Sequence, residues 1–94
     1  MPQVVYAPAA LRDIERLRIF LCSKNPSAAR RAGDAIIKGV RILGSQPHMG
    51  RPVEDLPENY REWVIEFGAY VVRYRIDDDV VTILLIRHGR EAGF

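Results

Sequence analysis

The chain is predicted to fold as one α+β domain over residues 1–94, an N-terminal strand and a helical hairpin packed on a mainly antiparallel β-sheet. Three observations predict it. Apolar residues recur at helical spacing between Leu11 and Leu43, the period changes to two from Arg61 onward, and a proline-rich loop separates the two regimes.

The opening QVVYA is β-prone, and Pro8 follows it where a helix can start, because the fixed φ of proline suits a first helical turn. Leu11, Ile14, Leu17 and Leu21 then form a stripe, with Arg12, Asp13, Glu15 and Arg16 largely away from it. KNPS interrupts the pattern: the residue before Pro26 resists helical dihedrals, and Asn25 or Ser27 can satisfy the free amides of the next helix. A second helix runs to about Leu43, with Ala29, Ala32, Ile36, Val40 and Leu43 as its buried stripe. Its small N-terminal residues permit close approach to the first helix.

GSQPHMGRPVEDLPEN carries three prolines and two glycines, which predicts an ordered loop without regular structure. Within it Gly50 is expected at a turn with positive φ, and Arg51 is expected to anchor the loop to Glu54 or Asp55. Strands follow over REWVIEF, AYVVRYRI and VVTILLIRH, with a turn at Asp77 to Asp79. If Asp78 and Asp79 form the hairpin loop, Arg75 faces Thr82, Arg73 faces Leu84, Val71 faces Ile86 and Ala69 faces His88. One sheet face then carries Val71, Arg73, Arg75, Thr82, Leu84, Ile86 and His88. The other carries Tyr70, Val72, Tyr74, Ile76, Val81, Ile83, Leu85 and Arg87 and packs on the helices. Exposed Val71, Leu84 and Ile86 among cations predict a surface that a partner covers.

Charge is unevenly divided. Residues 1–52 hold nine Lys or Arg against three acids, residues 53–94 five against nine, although the net charge is only +2. A basic front half permits an acidic protein or nucleic-acid partner without requiring either. The single cysteine, Cys22, excludes an internal disulfide, and the absence of a recognisable signal peptide or spanning segment predicts a cytoplasmic setting with no membrane contact. Neither GxxxxGK nor GxGxxG occurs, and His48 and His88 lack ligand-spaced partners, so no cofactor and no metal are expected. His88 has three readings: a general acid, a strand-ending residue bonded to backbone, or a contact to a partner beside Arg87 and Arg90.

The order and spacing of APAALRDIERL, NPSAARR, QPHMGRPVEDL, YVVRYRI and ILLIRHGR resemble the RelE/ParE superfamily of bacterial type II toxins, especially its ParE or plasmid-stabilisation branch, over nearly the whole chain. The resemblance implies a toxin held in a hetero-oligomer by a cognate antitoxin. It also implies one of two targets. The ParE branch holds DNA gyrase in its DNA-cleaved state and is no enzyme itself. The RelE branch is a ribosome-dependent endoribonuclease that cuts mRNA.

Cutting RNA through its 2′-hydroxyl needs a base, cationic stabilisation of the phosphate and an acid for the leaving oxygen. Where YoeB-like members carry a glutamate, an arginine and a histidine, an ungapped comparison puts Val53, Val71 and Gly89. One-residue slips bring in Glu54 and His88, with Arg73 from the same strand, as the alternative catalytic set. The gyrase reading is therefore favoured, with no catalytic residue and with Arg73, Arg75, His88, Arg90, Arg51 and Arg61 as the target-binding surface. Val71, Leu84 and Ile86 are the expected antitoxin contacts.

Overall fold

Pro8 and Pro26 each open a helix in the computed structural model, which describes residues 2–65 and 69–88. Strand β1 (Gln3–Tyr6) leads through Ala7 into α1 (Pro8–Lys24), and Ala7 C=O accepts the first helical bonds from Ala10 and Leu11. Asn25, in extended conformation, ends α1 and starts α2 (Pro26–Ser45). Its N–H donates to Leu21 O at 2.8 Å and its Oδ1 accepts from Ser27 N at 2.9 Å, so one residue caps both helices.

The loop after α2 has more order than its prolines suggest. A 3₁₀ turn (Pro47–Met49) is followed by a two-residue strand β2 (Arg51–Pro52), then β3 (Tyr60–Ile65), β4 (Tyr70–Asp77) and β5 (Val80–His88). The sheet order is β1-β5-β4-β3-β2, with β1 parallel to β5 and the remaining pairs antiparallel. Pro52 is tolerated because β2 is an edge strand.

The expected stripe of α2 is the one that packs: Ala29, Ala32, Ile36, Val40 and Leu43 are all buried. On α1 the stripe is rotated. Ala10, Asp13 and Leu17 are buried and Ile14 and Leu21 pack against the core, whereas Leu11 is exposed. α1, which starts only two residues beyond β1, packs against β5, and Ala10 in its first turn is fully buried in the core.

The β4–β5 register begins as expected, with Arg75 opposite Thr82 and Tyr74 opposite Ile83. It then shifts by one residue: Arg73 pairs with Leu85, Val72 with Ile86, Val71 with Arg87 and Tyr70 with His88. Leu84 is the extra residue of a β-bulge. Beyond it the alternation of β5 is inverted relative to the expected one, although the Arg87 side chain, on the stretch of β5 that β1 does not cover, still reaches Asp13 of α1. Ile86, expected on the outer face, is fully buried in the core, and Leu85, expected inside, stands opposite Arg73 on the outer face.

Candidate functional site: the cationic outer face of the sheet

Alternation along β4 sends Tyr70, Val72 and Tyr74 into the core and Val71, Arg73 and Arg75 to the face away from the helices. Cross-strand pairing then builds two rows on that outer face. In the first, Arg51 of β2, Glu62 of β3, Arg73 of β4 and Leu85 of β5 stand side by side. The Arg73 guanidinium donates to Glu62 Oε2 from Nη2 at 2.8 Å and from Nε at 3.3 Å, and Arg51 Nη2 lies 3.9 Å from the same carboxylate. Glu62 is 11% exposed and Arg73 28%, so this pair is partly shielded from solvent screening.

The second row contains Tyr60, Arg75 and Thr82. Arg75 donates to Asp77 Oδ2 at 2.5 Å and stacks its guanidinium 5.9 Å from the Tyr60 ring centroid. The Asp77 hydrogen bond, with a smaller contribution from Tyr60, raises the Arg75 pKa further above its ordinary range. Three arginines from two strands thus share one face, Arg51 and Arg73 beside Glu62 and Arg75 beside Asp77.

The other expected residues are placed differently. Arg61 points to the opposite face and holds the loop, its Nη1 donating to Gly50 O at 2.7 Å. It thereby takes the anchoring role expected of Arg51, which is exposed and reaches Glu62 rather than Glu54 or Asp55. Gly50 has φ −73°, so no positive φ demands glycine there. Space demands it instead: a Cβ would lie 2.5 Å from Glu62 O and 2.6 Å from the Tyr74 hydroxyl. That hydroxyl donates to Pro47 O at 2.6 Å and accepts from Gly50 N at 2.9 Å, fastening the loop to the sheet.

His88 does not stand beside Arg73. The bulge turns it to the helix-facing side, where its ring meets Tyr70 edge-on with centroids 5.6 Å apart. Glu54 is exposed in the turn after β2, and the carboxylate that Arg73 binds is Glu62. Glu54, Arg73 and His88 are therefore not assembled into one cluster. Arg90 lies outside the described residues. Val71 is half-buried on the outer face, and Leu84 is half-buried at the bulge.

Asp13 is the residue that the helical pattern misplaced. It is 7% exposed, accepts the Ile86 N–H at 2.9 Å and pairs with Arg87 Nη1 at 2.5 Å. A polar residue on a helical stripe otherwise made of Ala10, Ile14 and Leu17 was the available signal. Among the described residues no group of three His, Cys, Asp or Glu side chains converges as a metal site, and no helix is long and apolar enough to cross a membrane.

The family model for the ParE toxin of type II toxin-antitoxin systems matches residues 4–93. Toxin RelE3 of Caulobacter vibrioides is 40% identical over 93 residues, covering 97% of this chain and 98% of that protein. Among solved structures, the chromosomal ParDE system from P. aeruginosa superposes with a TM-score of 0.80 at 22% identity, covering 94% of this chain and 96% of that one. The RelBE2 toxin-antitoxin complex of Mycobacterium tuberculosis gives 0.67 at 25% identity, covering 94% and 99%. With the family model spanning nearly the whole chain and a full-length relative at this identity, the chain belongs to the ParE toxin family of type II toxin-antitoxin systems, within the RelE/ParE superfamily.

Proposed function

We propose that the chain is a cytoplasmic ParE-like toxin that traps DNA gyrase in its cleaved, DNA-attached state and is neutralised in a hetero-oligomer with a cognate antitoxin. The DNA-breaking chemistry then belongs to gyrase, and the toxin acts by contact. Arg51, Arg73 and Arg75 form the target-facing surface on the outer sheet face; His88, on the helix-facing side, is not part of that face, and Arg90 lies outside the described residues. Val71 and Leu84 border that surface and are the antitoxin contacts; Ile86, being core, is not one of them.

The observation that supports contact over catalysis is the separation of His88 from Arg73 by the Leu84 bulge. A ribonuclease needs its acid, base and cation around one phosphate. Here the histidine faces Tyr70 and the arginine faces Glu62 on opposite sides of the sheet. The RelE names of relatives in Caulobacter vibrioides favour the ribosome as the second reading.

The deciding experiment incubates supercoiled plasmid with purified gyrase, ATP and this protein, then scores linear DNA after detergent and protease. Linear product that depends on both proteins is expected. Its absence with folded toxin and active gyrase overturns the proposal and moves the test to mRNA cleavage on ribosomes.

A further inference from the structure

Helix α2 separates its cations from its apolar stripe. At helical spacing Arg30, Arg31, Lys38 and Arg41 fall within an arc of about 100°, opposite the buried Ala29, Ala32, Ile36, Val40 and Leu43. They span about 16 Å along the helix axis. All four are exposed, and none enters an ion pair among the described residues. Asp34 is the one acid in the arc. The outer sheet face is different, because Arg51 and Arg73 share Glu62 and Arg75 holds Asp77. α2 therefore presents an uncompensated positive stripe, on the other side of the molecule from the target-facing arginines.

The character of the stripe indicates what meets it. No aromatic side chain stands among the four cations, so there is nothing on which a base could stack. Ile37 and Ile42 are exposed but flank the arc on opposite sides, and they build no apolar centre for a protein interface. An anionic lipid surface needs an apolar helix face to enter it, and that face of α2 is buried in the core. Spaced cations on one helix, without an apolar centre, suit a regular array of phosphates.

We propose that Arg30, Arg31, Lys38 and Arg41 bind the phosphate backbone of duplex DNA without reading its sequence. The role of this contact rests on the gyrase reading above and deepens it. The sheet face meets gyrase while α2 lies against the DNA that gyrase holds, so the toxin touches protein and nucleic acid at once.

Fluorescence anisotropy of the toxin with a short labelled DNA duplex, titrated with salt, tests the contact. Neutralising four phosphates gives log K against log salt a slope of about −3.6. Arg31→Gln with Lys38→Gln, which keeps helix propensity, reduces the magnitude of that slope by about 1.8 at an unchanged thermal midpoint. Arg18→Gln on α1 leaves the slope as it is. Absence of duplex binding at low salt, or an unaltered slope in the double variant, overturns the proposal. Polyglutamate binding more tightly than the duplex at the same salt also overturns it and assigns the stripe to an acidic protein segment. In the gyrase assay the double variant yields about tenfold less linear DNA than wild type at physiological salt. Equal linear product overturns the role in trapping. No linear product from wild type, with duplex binding intact, overturns the gyrase reading and leaves the DNA contact standing.

Discussion

The carboxylate of Asp13 accepts the backbone N–H of Ile86 at 2.9 Å, tying the first helix to the last strand across 73 residues. β1 pairs with β5 only through Ile83, so Ile86 lies on a stretch of β5 edge that β1 does not cover. Asp13 satisfies its N–H, while Arg16 Nη2 and Arg87 Nη1 approach its C=O at 3.5 and 3.3 Å. Helix side chains here do what another strand would otherwise do, and they hold the end of β5 in its shifted register.

Replacing Asp13 with Ala leaves a buried N–H without an acceptor and Arg87 without its carboxylate. The expected loss is about 3 kcal/mol, the scale for breaking a shielded charge pair that also carries a hydrogen bond. Asp13→Asn keeps an acceptor for Ile86 and loses the ion pair, so it falls between wild type and Ala. Urea midpoints at unchanged m-value measure this series. An Ala variant within about 0.5 kcal/mol of wild type contradicts the anchoring role.

The Leu84 bulge also shows where the sequence stopped being legible. The α2 stripe and the register from Asp77 to Tyr74 follow from spacing and turn length alone. ILLI at Ile83 to Ile86 does not: four aliphatic residues in a row have no polar partner to mark which of them faces out. The parity of Ile86 and His88 is set by Asp13, far away in sequence, and an acid on a helix is read by default as solvated. On the site, the shared face of Arg73 and Arg75 was legible because the extra residue of the bulge sits on β5 and leaves the alternation along β4 intact; Glu62 as the partner of Arg73 comes from the β3–β4 register. The role of Gly50 was not, because close approach and positive φ leave the same glycine in the sequence.

Gly50→Ala and Gly33→Ala have opposite signs. The first drives a methyl into Glu62 O and the Tyr74 hydroxyl, at a cost of about 1–3 kcal/mol for overpacking. The second places a methyl where nothing lies within 4 Å, inside α2, and gains up to about 1 kcal/mol from helix propensity. Thermal midpoints of the two variants check this. Equal shifts would remove the steric account of Gly50.

Tyr74→Phe removes one donor and one acceptor together, leaving Pro47 C=O and Gly50 N–H without their partner at a cost of about 1–3 kcal/mol. Burial raises the Tyr74 pKa above the ordinary 10.0. An unfolded chain then ionises first as pH rises, so this contribution is fully present below 10.0 and is lost as pH climbs through the folded value. Stability measured from pH 8 upward should decline less steeply in Tyr74→Phe than in wild type. Some decline remains, because burial raises the Tyr6 pKa in the same direction.

His88 and Arg73 separate the two target readings. A contact surface spreads its energy, so His88→Gln should lower toxicity by less than about tenfold, whereas loss of a catalytic acid removes it almost entirely. For Arg73 the informative variant is the charge exchange with Glu62, because Arg73→Glu alone sets two carboxylates opposite each other on adjacent strands. Glu62→Arg combined with Arg73→Glu restores an ion pair between β3 and β4 but moves the cation by one strand. Wild-type stability without toxicity is the expected outcome, measured by denaturation and by growth arrest on expression without antitoxin. Restored toxicity would mean that the pair serves only to hold the strands together, and the target-facing surface would then centre on Arg75.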